Sequence, residues 1–159
     1  MKFPFRKIYR FATRVVRVCR NFFWSKLFAS FGEGSSIFGH ITVYSPEKVE
    51  FGTMSTINVG SVINARGGII VGDHVHISPG VIINTGGLDY KNTLDKRKHT
   101  SQQVVIKDGA WIGSGVCINP GVTIGKNSVI GAGAVVTKNI PDDVVAVGVP
   151  AKVLNKIFD

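Results

Sequence analysis

Few residues in this chain have the chemistry of a general base or a metal ligand. Histidine is the side chain best suited to accept a proton near neutral pH, and the chain has four histidines. His74 and His76 have no further ligand at metal-binding spacing, and the two cysteines form no CxxC or zinc pattern, so we expect no metal. His99 differs because it lies in a polar, basic segment in which Asp89 could orient its ring.

The sequence around this segment has a strict period of six. An aliphatic residue recurs at Ile106, Ile112, Ile118, Ile124, Ile130 and Val136. Glycine or asparagine follows it at positions 113, 119, 125 and 131. A helix needs an apolar spacing near 3.6 and a lone strand a spacing near 2, so neither explains the pattern. Short strands joined at corners do explain it, because Gly and Asn tolerate unusual dihedrals, and three such sides make one coil of a triangular prism.

The same register extends upstream and is interrupted once. It passes through Phe51, Ile57, Ile63, Val71, Ile77 and Ile83, with a weaker trace at Ile37, Val43 and Val49. We therefore predict roughly four to five stacked coils that bury their apolar sides against one another. Residues 86–103 have no repeat character, so we expect them to leave the prism as a long loop, a feature that is often functional.

Residues 1–32 form a basic arm. They carry eight of the 19 Lys and Arg residues and no acid. On a helical wheel the apolar residues Ile8, Phe11, Ala12, Val15, Val16, Cys19, Phe22 and Phe23 oppose Arg6, Lys7, Arg10, Arg14, Arg17 and Arg20. This amphipathic helix is expected either to lie on an anionic membrane surface or to cap the open end of the prism, and both alternatives stay open. It has no nucleic-acid recognition motif, so we expect no nucleic-acid partner.

The composition indicates three segments and a location. We expect the arm at 1–32, the repeat domain at 33–154 and a tail at 155–159. No apolar stretch is long enough to cross a bilayer or has the form of a signal peptide. The expected location is therefore cytoplasmic, and peripheral to the inner membrane face if the helix binds lipid.

The run from Ile106 to Leu154, with its WIGSG, GAGAV and GVPAK segments, resembles the hexapeptide-repeat acetyltransferases, especially galactoside, maltose and polysaccharide O-acetyltransferases. The resemblance implies an all-β fold, a left-handed parallel β-helix that departs from the usual right-handed crossover. It also implies an acetyl-CoA donor and a homotrimer. Its three active sites would lie in clefts between neighbouring prisms, with the long loop reaching across.

The resemblance also places six residues beside the coenzyme: Trp111, Ser114, Ala132, Thr137, Lys138 and Lys152. The resemblance implies that Ser114 and Ala132 offer backbone groups to the pantetheine arm and that Trp111 forms a wall of the cleft. It also implies that the residues near the nucleotide are Thr137, Lys138 and Lys152. Cations and close backbone approach also suit a ligand with several phosphates. Each residue also has an alternative explanation. Ser114 and Ala132 are small enough for a corner of the prism, Lys138 and Lys152 are compatible with an ordinary solvated surface, and Trp111 is compatible with packing between subunits.

The position of the expected catalytic histidine departs from the pattern of the resembling families. In the resembling families the base is a histidine just after a Thr-Gly pair in the loop, whereas residues 85–90 here are TGGLDY, with Leu88 in that place. His99 in KRKHTSQQVVI is the remaining loop histidine, so we predict that His99 is the base and that Asp89 orients it. Asn58 is predicted to contact the acceptor.

The predicted function is therefore an acetyl-CoA-dependent O-acetyltransferase acting on a sugar hydroxyl in surface polysaccharide biosynthesis. Serine O-acetyltransferase is the enzyme alternative. A non-catalytic β-helix scaffold is the alternative from another functional class, since Leu88 replaces the expected imidazole. A γ-class carbonic anhydrase, which shares the fold and binds its metal through three histidines across a subunit interface, is the least favoured, because the C-terminal run resembles the acetyltransferases instead.

Overall fold

The chain folds into a β-solenoid of about six turns preceded by one α-helix. A computed structural model describes residues 5–89, 91 and 93–158. Residues 1–4 of the predicted arm, Tyr90 of the TGGLDY segment and Asp159 of the predicted tail lie outside it. The α-helix, α1, spans Phe5–Leu27. No helix within the described ranges is long and apolar enough to cross a membrane.

Three parallel sheets form the faces of a prism, and the strands are numbered in chain order. Face 1 contains β1 (Ser30–Phe31), β4 (Val49–Phe51), β7 (Ile69–Val71), β12 (Val104–Ile106) and β15 (Thr123–Ile124). Face 2 contains β2 (Ser36–Ile37), β5 (Thr56–Ile57), β8 (His76–Ile77), β13 (Trp111–Ile112), β16 (Val129–Ile130) and β18 (Val144–Val147). Face 3 contains β3 (Thr42–Tyr44), β6 (Val62–Asn64), β9 (Ile82–Asn84), β14 (Cys117–Ile118) and β17 (Val135–Val136).

Three strands lie outside this pattern. The segment β10 (Gly86–Leu88) pairs with β11 (His99–Ser101) in an antiparallel hairpin between faces 3 and 1. The last strand, β19 (Lys152–Lys156), pairs antiparallel with β18, so it crosses the predicted start of the tail at 155. Single 3₁₀ turns occur at Pro46–Lys48 and Leu94–Lys96.

The period of six is the spacing of the inward side chains. Successive strand residues point to opposite sides of a sheet, so one residue per side enters the prism. On face 2, Ile57, Ile77, Ile112 and Ile130 are in register and fully buried. The solenoid predicted from this period is confirmed.

The number of turns exceeds the predicted four to five, and the additional turn lies at the C-terminal end of the prism. The weak upstream trace belongs to a complete first coil, in which Ile37 pairs with Ile57. At the other end Ile140 follows Val136 by four residues instead of six, yet it still bridges to Ile124. The changed spacing hides the last turn from a search at a fixed period.

Carboxylates at one corner tie successive coils together. The amide N–H of Thr53 donates to Asp73 Oδ1 at 2.6 Å, and the amide N–H of Asp73 donates to Asp108 Oδ1 at 3.0 Å. Lys126 donates in the same way to Asp142 Oδ1 at 2.8 Å. These amide donors hold the pKa of Asp73 and of Asp142 below the ordinary value, because a hydrogen bond to a carboxylate favours its charged form.

Helix α1 rests on the first coil with its C-terminal half. Arg20 Nε donates to the Ile37 carbonyl at 2.8 Å, and Asn21 Oδ1 accepts from the Ile37 amide at 2.9 Å. Trp24 packs against Phe28, whose ring also contacts the rings of Phe31 in β1 and Phe51 in β4, both on face 1. These bonds supply partners to an outer strand edge that would otherwise be unpaired.

Candidate active site

Two short strands of the segment predicted to be a loop, β10 and β11, pair with each other in an antiparallel hairpin. In its register Gly86 faces Ser101, Gly87 faces Thr100, and Leu88 faces His99. Residues directly opposite in an antiparallel pair project to the same side, with Cβ atoms about 5 Å apart. His99 therefore lies beside Leu88, the residue at the position where the resembling families have their histidine.

This side of the hairpin borders an open cavity of about 840 Å³ against face 3. Its lining includes His99 and Leu88 from the hairpin and Tyr44, Asn64 and Asn84 from three successive coils. Those three coil residues occupy equivalent positions at the ends of β3, β6 and β9, so their side chains stack one above another. The cavity combines an imidazole, a phenol and two carboxamides.

The two asparagines are linked to each other and to the main chain. Asn64 Nδ2 donates to Asn84 Oδ1 at 3.0 Å, and Asn84 Oδ1 also accepts from the Gly86 amide at 3.0 Å. Asn64 Oδ1 accepts from the Arg66 amide at 3.3 Å. The amide nitrogen of Asn84 takes no part in these bonds, which leaves a donor at the cavity for an acceptor hydroxyl or an oxyanion.

Asp89 lies one residue beyond the paired part of β10. Its amide N–H donates to the Lys98 carbonyl at 2.9 Å, and its Oδ1 accepts from the Lys91 amide at 3.1 Å. It lines a separate shallow depression with Lys98 and three neighbouring charged residues. His99 and Asp89 thus border different depressions in one chain, and the orienting role of Asp89 stays a prediction.

The residues predicted for the pantetheine arm meet at the corner between faces 2 and 3. The amide N–H of Gly133, next to Ala132, donates to the Ser114 carbonyl at 2.9 Å. A Cβ added at Gly115 or at Gly133 would meet nothing within 4 Å, and both glycines have positive φ. The main chain at this corner is therefore open to close approach by an extended ligand.

Trp111 stands on face 2, three residues before Ser114. Its Nε1 donates to Ser78 Oγ at 3.1 Å, yet 54% of the residue is exposed. It pairs in register with His76, whose Nδ1 lies 3.0 Å from Thr56 Oγ1. Within residues 5–89, 91 and 93–158, no three His, Cys, Asp or Glu side chains come together so as to hold a metal ion.

The residues predicted for the nucleotide end lie around the last coils. The segment between β18 and β19 folds against β17, since Val135 donates its amide to Gly148 O and accepts from the Ala151 amide. This brings Lys152, the next residue, close to the strand that leads into Thr137 and Lys138. All three predicted residues are exposed.

Comparison with known proteins places this architecture in a family. The model for "Bacterial transferase hexapeptide (six repeats)" matches residues 103–138. A crystal structure of a hexapeptide-repeat acetyltransferase from Vibrio cholerae O1 biovar eltor, complexed with acetyl coenzyme A, superposes with a TM-score of 0.81 at 32% identity, covering 86% of this chain and 75% of that one. The chain belongs to the hexapeptide-repeat acetyltransferase family.

Two further family members are similar over most of this chain. A maltose O-acetyltransferase from Clostridium difficile 630 superposes with a TM-score of 0.76 at 35% identity, covering 86% of this chain and 73% of that one. Galactoside O-acetyltransferase from Lactococcus lactis is 41% identical over 136 residues, which are 84% of this chain. This chain spans 66% of the length of that relative.

Asn58, the predicted acceptor residue, is placed apart from the cavity. Its Nδ2 donates to the Ile77 carbonyl at 2.9 Å on face 2, a bond between coils. Neither Asn64 nor Asn84 was among the predicted site residues. Each follows a core isoleucine of face 3 by one residue, but Asn58 follows Ile57 on face 2 in the same way, so this signal alone did not distinguish the cavity residues.

The two parts of the predicted family site lie at opposite edges of face 3. The corner of Ser114 and Ala132 precedes the face 3 strands, whereas the hairpin that carries His99 leaves the prism after β9. A single chain therefore presents His99 and the corner of Ser114 and Ala132 to different sides of the prism.

Proposed function

We propose that this chain is an acetyl-CoA-dependent O-acetyltransferase that acts on a sugar hydroxyl and works as a homotrimer of left-handed β-helices. Membership of the hexapeptide-repeat acetyltransferases supports the activity, and the similarity to a galactoside and a maltose O-acetyltransferase supports a sugar acceptor. The observation that carries the proposal is the pairing of His99 with Leu88 over a polar cavity.

His99 is the general base of the proposed reaction. The imidazole accepts the proton of the acceptor hydroxyl as that oxygen bonds to the acetyl carbonyl carbon. The carbon–sulfur bond then breaks, and the leaving thiolate takes the proton back from the imidazolium. Asn84, through its amide nitrogen, is placed to donate to the acceptor or to the transient oxyanion. Asp89 is a positioning residue in this proposal.

The chain also has surfaces that suit the acetyl donor. Acetyl-CoA supplies an activated acyl group and a thiol leaving group. At the open corner, Ser114 and Ala132 expose main-chain groups against which a pantetheine arm fits, and Trp111 walls the same side. Lys138 and Lys152 are exposed cations for the phosphates. The geometry of one chain thus accommodates an extended, polyanionic ligand.

The separation of His99 from the coenzyme corner supports the proposed trimer. Because His99 and the coenzyme corner face different sides of one prism, an acetyl group bound at the corner meets a histidine from a neighbouring prism. Three copies around a threefold axis complete three such clefts. The oligomeric state is measured by sedimentation equilibrium, and a monomer that retains full activity would contradict this arrangement.

The proposed acceptor is a surface-polysaccharide intermediate linked to lipid at the inner membrane face. Support comes from the basic, apolar arm, which gives the protein a means of meeting a substrate at a bilayer.

The test is thiol release from acetyl-CoA with a panel of galactosides, maltose, lipid-linked glycans and L-serine. We expect turnover with a sugar and loss of about 10²–10⁴-fold in kcat for His99→Ala, the usual contribution of a general base. His74→Ala is the matched control, because His74 is an exposed residue at the corner between faces 1 and 2, whereas the hairpin lies between faces 3 and 1.

Three results would replace the proposal. Turnover with L-serine alone would establish the serine O-acetyltransferase alternative. Equal kcat in wild type and His99→Ala would remove His99 from its role. Neither turnover nor acetyl-CoA binding in the wild type would leave the scaffold alternative.

A further inference from the structure

Helix α1 is docked on the prism by its polar side. The residues of α1 that contact the first coil are Arg17, Arg20, Asn21 and Trp24, which follow one another at helical spacing along one side, and Phe28 continues this side directly after the helix. Of these, the first three contact the coil through guanidinium or carboxamide groups. Arg17 lies over the Phe38 ring at 5.5 Å, while Arg20 and Asn21 bond to the edge of β2. The basic arc of the helical wheel is therefore the attached one.

The apolar side of α1 consequently faces away from the protein. Residues at spacings of three and four along that side are Ile8, Phe11, Val15, Val18 and Phe22, and all five are exposed. Phe11 is 70% exposed and Phe22 is 64% exposed. An uninterrupted apolar strip of this kind on a protein surface marks an interaction site.

The charge around this strip identifies its partner. Arg10 and Arg14 are exposed on α1, and residues 1–32 contain eight cations without one acidic residue. A basic amphipathic helix of this composition matches an anionic bilayer, in which the apolar side enters the headgroup boundary and the cations contact lipid phosphates. The helix is not apolar enough to cross the membrane, which fits a helix lying in the surface.

An open groove beside the strip adds a place for phosphate. It lies between α1 and the first coil, has a volume of about 990 Å³, and is bordered by Arg10, Arg14, Arg17 and Arg20 together with Phe38. Guanidinium groups bind phosphate oxygens by paired hydrogen bonds. The groove is thus an electropositive site for lipid headgroups next to the apolar strip.

We propose that α1 is a membrane-surface anchor, which docks to the prism by its arginine side and inserts its apolar side into the headgroup region of an anionic lipid bilayer. A second copy of the chain fits the strip less well, because residues 1–32 contain no acidic residue that could pair with the cations of the other copy, and like charges oppose association. The proposal is independent of the acetyltransferase activity, since it concerns binding alone.

The test is co-sedimentation of the full chain with vesicles of phosphatidylcholine containing about 30 mol% phosphatidylglycerol, and with vesicles of phosphatidylcholine alone. We expect pelleting with the anionic vesicles and release as salt is raised, because screening shortens the reach of the cations. Phe11→Ser combined with Phe22→Ser is expected to weaken partitioning by more than tenfold. Arg14→Ser is expected to weaken it about fivefold, which corresponds to about 1 kcal/mol.

Matched controls separate the helix from general surface effects. Phe158→Ser removes an equally exposed aromatic ring, and Lys156→Ser an exposed cation, both near the C-terminus. Both are expected to pellet as the wild type does, and unchanged far-UV circular dichroism verifies that α1 is intact in every variant. Pelleting that is equal with both vesicle types, or unchanged in the double phenylalanine variant, would overturn the proposal. Loss of oligomer mass in that variant without vesicle binding by the wild type would instead assign the strip to a second copy.

Discussion

Exchanging the residues at positions 88 and 99 tests whether the hairpin supplies the base from its second strand. In Leu88→His combined with His99→Leu, the imidazole moves across one rung of the β10–β11 ladder. The two Cβ atoms of a directly opposed pair are about 5 Å apart and project to the same side. The relocated imidazole therefore faces the same cavity, close to Asn84.

The size of the effect follows from two opposing contributions. His99→Leu alone removes a general base and is expected to lower kcat about 10²–10⁴-fold. The exchange restores a base, but a displacement on the order of 1 Å from the productive position still costs up to about 10²-fold. We therefore expect the kcat of the exchange variant to lie between those of His99→Leu and the wild type, and to exceed that of His99→Leu at least about tenfold if the base contributes about 10³-fold or more.

Steady-state thiol release from acetyl-CoA measures this series, with kcat and KM determined separately for the acceptor. Leu88 is 44% exposed and His99 is exposed, so the free energy of unfolding is expected to change by less than about 0.5 kcal/mol in each variant. Thermal unfolding checks that expectation. A folded exchange variant that is no faster than His99→Leu would refute the equivalence of the two positions.

Three further predictions concern single side chains. Because the Thr53 amide holds the pKa of Asp73 below its ordinary value, Asp73 stabilises the fold above the unfolded pKa, and this contribution is lost as pH falls below about 4. In thermal unfolding between about pH 2 and 6, Asp73→Asn should therefore have the flatter profile, and parallel profiles would contradict this. Ser55→Ala removes a buried hydroxyl that bonds a carbonyl and an amide of the next coil at 2.8 and 2.9 Å, and it should cost about 2 kcal/mol in urea unfolding against almost nothing for exposed Ser101→Ala. Trp111→Ala should raise KM for acetyl-CoA at least tenfold while Trp111→Phe raises it less, and equal KM values would remove the indole from the coenzyme cleft.

The prism itself was predictable because its determinant is local. Each inward isoleucine, such as Ile112 or Ile130, occupies the same place in a short unit, so the pattern repeats along the sequence. Where the spacing changes, as between Val136 and Ile140, the prediction misses a turn that the hydrogen-bonded ladder still forms. The hydrogen bonds between coils still form when one side of a coil is shorter, whereas a search at a fixed period of six residues does not find that side.

The site was predictable only in its residue types. The sequence identifies His99 as the available imidazole and Leu88 as the departure, but it does not specify that they are opposite each other. That register depends on the hairpin pairing from Gly86 to Ser101, which is fixed by how the segment leaves β9 and rejoins β12. Asn84 was missed for a related reason, since its stacking on Asn64 is a contact between coils 20 residues apart.

The basic arm shows most clearly which features the sequence determines and which depend on the tertiary structure. The sequence by itself determined that α1 has an apolar and a cationic side, because helical spacing alone sorts residues such as Phe11 and Arg14. Only the tertiary structure decided which side of α1 packs on the prism. The outer strand of the first coil presents unpaired N–H and C=O groups, and Arg20 and Asn21 satisfy them while an apolar side chain has no such donors and acceptors. The same requirement that closes the edge of the prism leaves the apolar side of the helix exposed.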